Sequence, residues 1–101
     1  MALNYKTKDG SAPQGKPRVY LTGHPKDLPA CLDDITDDIF QSQNCAVYYR
    51  TDPQTDEEAK NSFYELEQMQ LIVIPVTSRF LLEDNQARRL EFPYAMKHHI
   101  P

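Results

Sequence analysis

The chain has 101 residues, with 15 Asp and Glu against 11 Lys and Arg, a formal charge of −4 and a pI near 5.2. That length admits one domain near the lower end of the usual size range, and the acidic balance argues against a binder of nucleic-acid backbone. No apolar run approaches a membrane span and Met1 to Gly10 lacks the apolar stretch of a secretion signal, so the expectation is a cytoplasmic protein with no membrane and no nucleic-acid partner.

Residues 1–17 read as a flexible tail or linker, because Lys6 to Pro17 is rich in Lys, Gly, Ser, Gln and Pro and has no apolar period. Three short runs follow: Val19-Tyr20-Leu21, Cys45 to Tyr49, and Leu71 to Val76. They are continuous and rich in β-branched and aromatic residues, as expected of strands covered on both faces. Between the first two, Leu28, Leu32, Ile35 and Ile39 recur at four, three and four, with Asp33, Asp34, Asp37 and Asp38 on other faces, which predicts an amphipathic surface helix. Between the second and third, Ala59, Phe63 and Leu66 form an apolar stripe, Asp56, Glu57 and Glu58 suit a helix N-terminus, and Thr55 with Glu58 fits a capping box. Alternating strand and helix predicts right-handed crossovers and a parallel sheet, with a third helix running to the basic end Met96 to His99.

In an open parallel sheet the ligand crevice lies outside the C-terminal ends of the strands. Here that rule selects Thr22 to Asp27, Arg50 to Thr55 and Thr77 to Asn85, which line one groove if the first strand is central. The first loop offers Gly23 and the start of a helix, but lacks the spacing of a P-loop or dinucleotide fingerprint. Asp27 suits a helix cap or a ligand contact, and His24 suits a local hydrogen bond or a ligand donor. Cys31 and Cys45 lack metal-ligand spacing and suit reduced core positions. His98 and His99 are adjacent on a helix, so they diverge rather than share a metal, and the acidic run 33–38 fits a wet helix face. Glu91 stands between the third loop and the helix anchors Phe92 and Ala95; composition alone does not separate it from its charged neighbours.

From Arg18 to Pro101 the order of these motifs resembles the first two-thirds of a TIR (Toll/interleukin-1 receptor-like) domain of bacterial type. The resemblance rests on Val19-Tyr20-Leu21-Thr22 followed by Asp27, the second strand ending in Tyr48-Tyr49, the helix from Glu57 to Gln70, and Leu71 through Leu81. It is completed by Glu91 with Ala95 and the closing Ile100-Pro101. Thr22-Gly23-His24-Pro25 stands where the family commonly has a Ser-Tyr-containing segment. The resemblance implies a flavodoxin-like α/β fold, a parallel sheet of order 2-1-3-4-5, of which only the first three strands are expected in residues 18–101, leaving an open sheet edge prone to self-association.

Many TIR domains cleave NAD at its nicotinamide–ribose bond, while others signal only by self-association through TIR–TIR contacts. The first activity implies NAD as substrate, no cofactor and no metal. Carried over, Glu91 is the catalytic carboxylate; Phe80 and Leu81 shape the apolar nicotinamide side; and Thr22, Gly23, His24, Asp27 and Arg50 meet the ribose or phosphates. The non-catalytic interaction module is the alternative. Nucleoside deoxyribosyltransferases, which share the fold class, also set a glutamate against an N-glycosidic bond.

Overall fold

The computed structural model describes residues 3–51 and 54–101; of the predicted groove loops, only Asp52 and Pro53 lie outside them. Four strands, β1 (Asn4–Thr7), β2 (Arg18–Leu21), β3 (Ala46–Tyr49) and β4 (Leu71–Val73), form one sheet of order β1-β3-β2-β4. β2 pairs in parallel with β3 through Val19↔Val47 and with β4 through Tyr20↔Ile72.

The sheet is not the all-parallel, three-stranded part of a flavodoxin-like fold that the sequence predicts. It is four-stranded and mixed, because β1 runs antiparallel to β3 with Tyr5 opposite Tyr48. β1 comes from the segment expected to be a loose tail. Only the outer edge of β3 has to be satisfied there, so a strand with one aromatic and an outward lysine suffices. Tyr5 packs on Tyr48 at 6.2 Å between ring centroids, Lys6 Nζ meets Asp33 at 2.6 Å, and Asn4 donates to Thr51 Oγ1 at 3.0 Å. Gly10 and Gly15, both at φ 77°, turn the chain between β1 and β2.

Side-chain alternation splits the core into two layers. Val19, Leu21 and Val47 bury against α1 (Leu28–Ser42), together with Leu71 and Val73, and the predicted stripe of Leu28, Leu32, Ile35 and Ile39 packs on them. Tyr20, Tyr48 and Ile72 point the other way, onto Leu66, Met69, Phe63, Tyr94 and Ile100. The four aspartates of α1 are exposed, and Cys31 and Cys45 are free thiols.

The second helix is not continuous. α2 (Asp56–Asn61) begins with the expected capping box, Thr55 Oγ1 accepting from Glu58 N–H at 3.1 Å and Glu58 Oε1 from Thr55 N–H at 3.0 Å. At Ser62 the hydroxyl donates to the Ala59 carbonyl at 3.1 Å, and the chain tightens into a 3-10 helix over Phe63–Gln68. The predicted third strand stops at Val73, two residues before Pro75, which has no N–H to give a ladder. α3 (Ser78–Leu82) follows, its N-terminus capped by Thr77 Oγ1 on Phe80 N–H at 3.1 Å.

The last helix starts with a π-type turn over Ala87–Glu91 and continues as α4 (Phe92–Lys97). Phe92 N–H bonds back to Ala87, five residues away. Pro93 supplies the cause: it has no N–H for the Arg89 carbonyl, and its ring would strike that carbonyl in a regular α-helix. α4 ends in a Schellman motif, with Ile100 N–H on the Ala95 carbonyl (2.9 Å) and His99 N–H on the Met96 carbonyl (3.3 Å). His99 holds the left-handed position at φ 56°, where a Cβ is unfavourable. His99→Gly should therefore stabilise the fold by about 0.5–1 kcal/mol, read as a higher denaturant midpoint at unchanged slope; a lower midpoint would contradict the assigned backbone conformation.

Candidate functional site

The ends of β2 and β3 open into a cleft of about 570 Å³, closed on its third side by the turn before Glu91. Thr22 and Gly23 leave β2, Tyr49, Arg50 and Thr51 end β3, and Asp84, Asn85 and Glu91 line the opposite wall. Gly23 sits close to Pro75: a Cβ there would lie 3.3 Å from the proline ring, which would have to give by a few tenths of an ångström. Asn85 builds the entry to the Glu91 helix, donating to the carbonyls of Phe80 (3.0 Å) and Glu83 (2.9 Å) while its Oδ1 accepts from Arg88 N–H at 2.9 Å.

Ala87, Glu91 and Ala95 lie four apart and are all buried, so two methyl groups flank a carboxylate on the helix face that meets the sheet. Glu91 is only 6% exposed. Tyr20 Oη donates to its Oε2 and Thr22 Oγ1 to its Oε1, each at 2.5 Å. Tyr20 and Thr22 are two apart on β2 and its continuation, so one sheet face presents both donors. Each carboxylate oxygen retains acceptor capacity. No Lys, Arg or His forms an ion pair with Glu91 among the described residues. A cation reaches it through Tyr20: Arg50 Nε donates to the phenol oxygen at 3.3 Å and Nη2 to Glu65 at 3.2 Å. Burial opposes the charge on Arg50, but its contacts with Tyr20 and Glu65 outweigh burial and hold it protonated.

Of the residues singled out from the sequence, Glu91, Thr22, Gly23 and Arg50 converge on this cleft. His24, Asp27, Phe80 and Leu81 do not line it. His24 is buried in its own turn, Nδ1 accepting from Lys26 N–H at 3.1 Å and Nε2 facing Glu83 at 3.1 Å. Asp27 stands at the start of α1 without capping it; its carboxylate instead accepts from Thr77 Oγ1 at 2.5 Å. Phe80 is buried, and with Leu81 it lines a second, apolar groove of about 610 Å³ beside β4. Tyr20 and Asn85 escaped the sequence reading as site residues. Tyr20 lies inside an apolar run that reads as core, and only its two-residue offset from Thr22 hints that its hydroxyl shares a face with the groove.

Among the described residues no cluster of three His, Cys, Asp or Glu is placed to hold a metal, and no helix is long and apolar enough to cross a membrane. His98 stacks on Tyr94 at 4.1 Å between centroids and faces Glu67 at 3.5 Å. Comparison with known proteins adds no identity: no family model, curated protein or solved structure matches the chain.

Burial first, and then the Glu91 carboxylate, push the Tyr20 hydroxyl far above its ordinary value of 10.0, so it is a proton donor throughout the accessible range. The folded value lies above the unfolded one, so the stability it brings is intact below about pH 10 and falls as the pH rises beyond that, where the unfolded phenol ionises. Tyr20→Phe should cost about 1–3 kcal/mol at neutral pH, because it strips a donor from a buried carboxylate. It should also lose stability less steeply than wild type above about pH 10. Denaturant midpoints measured across that range check both; parallel curves would remove Tyr20 from the account of Glu91.

Proposed function

We propose that the chain is a TIR-type NAD glycohydrolase module in which Glu91 stabilises positive charge on the ribose as the nicotinamide leaves. The observation that carries this reading is the environment of Glu91: a buried carboxylate at the sheet crevice, held by two neutral hydroxyls and, among the described residues, paired with no Lys, Arg or His. A carboxylate matched to an Arg or Lys has its charge spent locally, whereas hydroxyl donors fix its position and leave most of its field directed at the cleft. In the reaction the bond from ribose C1′ to the nicotinamide nitrogen breaks and its electron pair leaves with the base, which departs neutral. Charge then develops on C1′ and the ring oxygen, opposite Glu91. Water adds to C1′ and loses a proton, giving ADP-ribose; attack by a nucleophile within the substrate gives a cyclic product. Oxygens of Glu91 that still have lone pairs free can accept from the ribose hydroxyls and orient the sugar.

Glu91→Gln keeps the volume but removes the charge. Loss of roughly 3 kcal/mol of transition-state stabilisation would lower nicotinamide release on the order of a hundredfold, with substrate binding changed little. The assay is nicotinamide release from NAD by wild type and Glu91→Gln, matched for circular dichroism and oligomer size. Equal turnover would reject Glu91 as the catalytic residue, and an inactive wild type would turn the balance to the second reading.

That second reading, a self-associating interaction module without catalysis, is favoured by one feature. Leu81, Phe92 and Met96 are exposed around the apolar groove beside β4, an arrangement that suits burial against a second copy. Sedimentation velocity should then show concentration-dependent association that a Leu81→Lys, Met96→Lys double variant abolishes. A wild type that stays monomeric at all concentrations would count against it.

A further inference from the structure

Two buried polar atoms of residues that line the Glu91 cleft have no partner among the described residues, and they are opposite in kind. Arg50 keeps only 9% of its side chain exposed. Its Nε and Nη2 are engaged by Tyr20 and Glu65, but Nη1 is buried with no hydrogen-bond partner among the described residues. Gln54 lines the same cleft, and its Oε1, an acceptor, is likewise buried and unpartnered. Buried polar groups in folded proteins are nearly always bonded, so an unmatched donor and an unmatched acceptor in one cleft ask for a ligand that supplies both complements.

Both residues are anchored, Arg50 by its side chain and Gln54 by its backbone. Arg50 is clamped by the contacts just named. The Gln54 backbone carbonyl accepts from Gln86 Nε2 at 2.6 Å, and the next two residues are tied down by the Thr55 capping box and by Arg89 bonding Asp56. The guanidinium and the backbone that carries the amide are therefore in place before any ligand arrives, which favours selective binding.

The charges decide between ligand classes. The Arg50 guanidinium already has Glu65 against it, and Glu91 lies one phenol oxygen away. A phosphate or carboxylate on Nη1 would place a further anion beside those two, and it would bring no hydrogen for Gln54 Oε1. A neutral carboxamide fits both demands, since its oxygen accepts and its nitrogen donates.

We infer that Arg50 and Gln54 form a carboxamide-reading subsite for the leaving group, with Arg50 Nη1 donating to the amide oxygen and Gln54 Oε1 accepting from the amide NH2. This rests on the NAD-cleaving reading of Glu91 and adds to it the selection of an amide over an acid at the leaving base.

The test separates the two. Nicotinamide and nicotinate share a ring and differ only in NH2 against a negatively charged oxygen, and both can be titrated into the whole chain by NMR without any turnover. Nicotinamide should bind at least tenfold tighter than nicotinate. Gln54→Leu, and separately Arg50→Lys with its fold checked by circular dichroism, should each remove most of that preference. Equal affinities, no detectable nicotinamide binding, or variants that retain the full preference would overturn the inference, as would displacement of nicotinamide by millimolar pyrophosphate. Selective nicotinamide binding by a protein that does not cleave NAD would reject the reaction while leaving the subsite standing.

Discussion

A carboxylate taken out of water must find donors, and that requirement at Glu91 ties the two halves of the molecule together. The donors are Tyr20 and Thr22 on the central parallel strand; the carboxylate comes from the last helix. Because neighbouring side chains on a strand alternate, only residues two apart can serve one carboxylate, which fixes how far along β2 the helix must sit. The alanines at 87 and 95 then matter for what they lack: larger side chains there would hold the helix off the sheet and leave the carboxylate buried and unbonded. The contacts of Arg50 with Tyr20 and of Asn85 with the preceding turn follow from the same need, since each steadies one end of this bond.

The electrostatics of the cleft have a corresponding pattern. The arginines that border it are each already answered by acids: Arg50 by Glu65, and Arg89 by Asp56 and Asp84. Arg89 in turn holds the Asp56 carboxyl below its usual range. Among the described residues, Glu91 has no directly bonded counter-charge. A site of this kind suits a reaction in which positive charge appears only transiently, because its field is in place beforehand and no side chain has to reorganise.

How much of this was legible in the sequence depends on the length scale of the signal. The runs at Val19, Cys45 and Leu71, the stripe of α1 and the Thr55–Glu58 box are local patterns, and local patterns survive tertiary context. β1 was not legible, since its four residues have one aromatic and no apolar alternation, and their pairing partner is a strand some forty positions away. That strand is what makes the sheet mixed. The helix after Thr55 reads as one stripe because a 3-10 turn keeps Phe63 and Leu66 on the same side. In the site, Thr22, Gly23 and Arg50 follow from the rule that crevices form at strand ends. His24, Asp27 and Phe80 lie in the selected loops but do not line the opening: His24 bonds within its turn and faces Glu83, Asp27 accepts from Thr77 of another loop, and Phe80 is buried.

The wide turn at Ala87–Glu91 has a consequence for how this protein can vary. A π-type turn holds one residue more than a regular helical turn, and removing that residue would set the Pro93 ring back against the carbonyl four residues before it. A deletion between Ala87 and Glu91 would also put Gln86, not Ala87, four residues before Glu91. A longer amide side chain would then compete for the place of the methyl group that flanks the carboxylate. Sequence length in this one stretch is thus under a constraint that residue identity does not reveal: substitutions can be absorbed one at a time, but a single deletion, harmless by any measure of helix propensity, would bring the Pro93 ring against the helix and break the spacing of the small residues that flank the carboxylate.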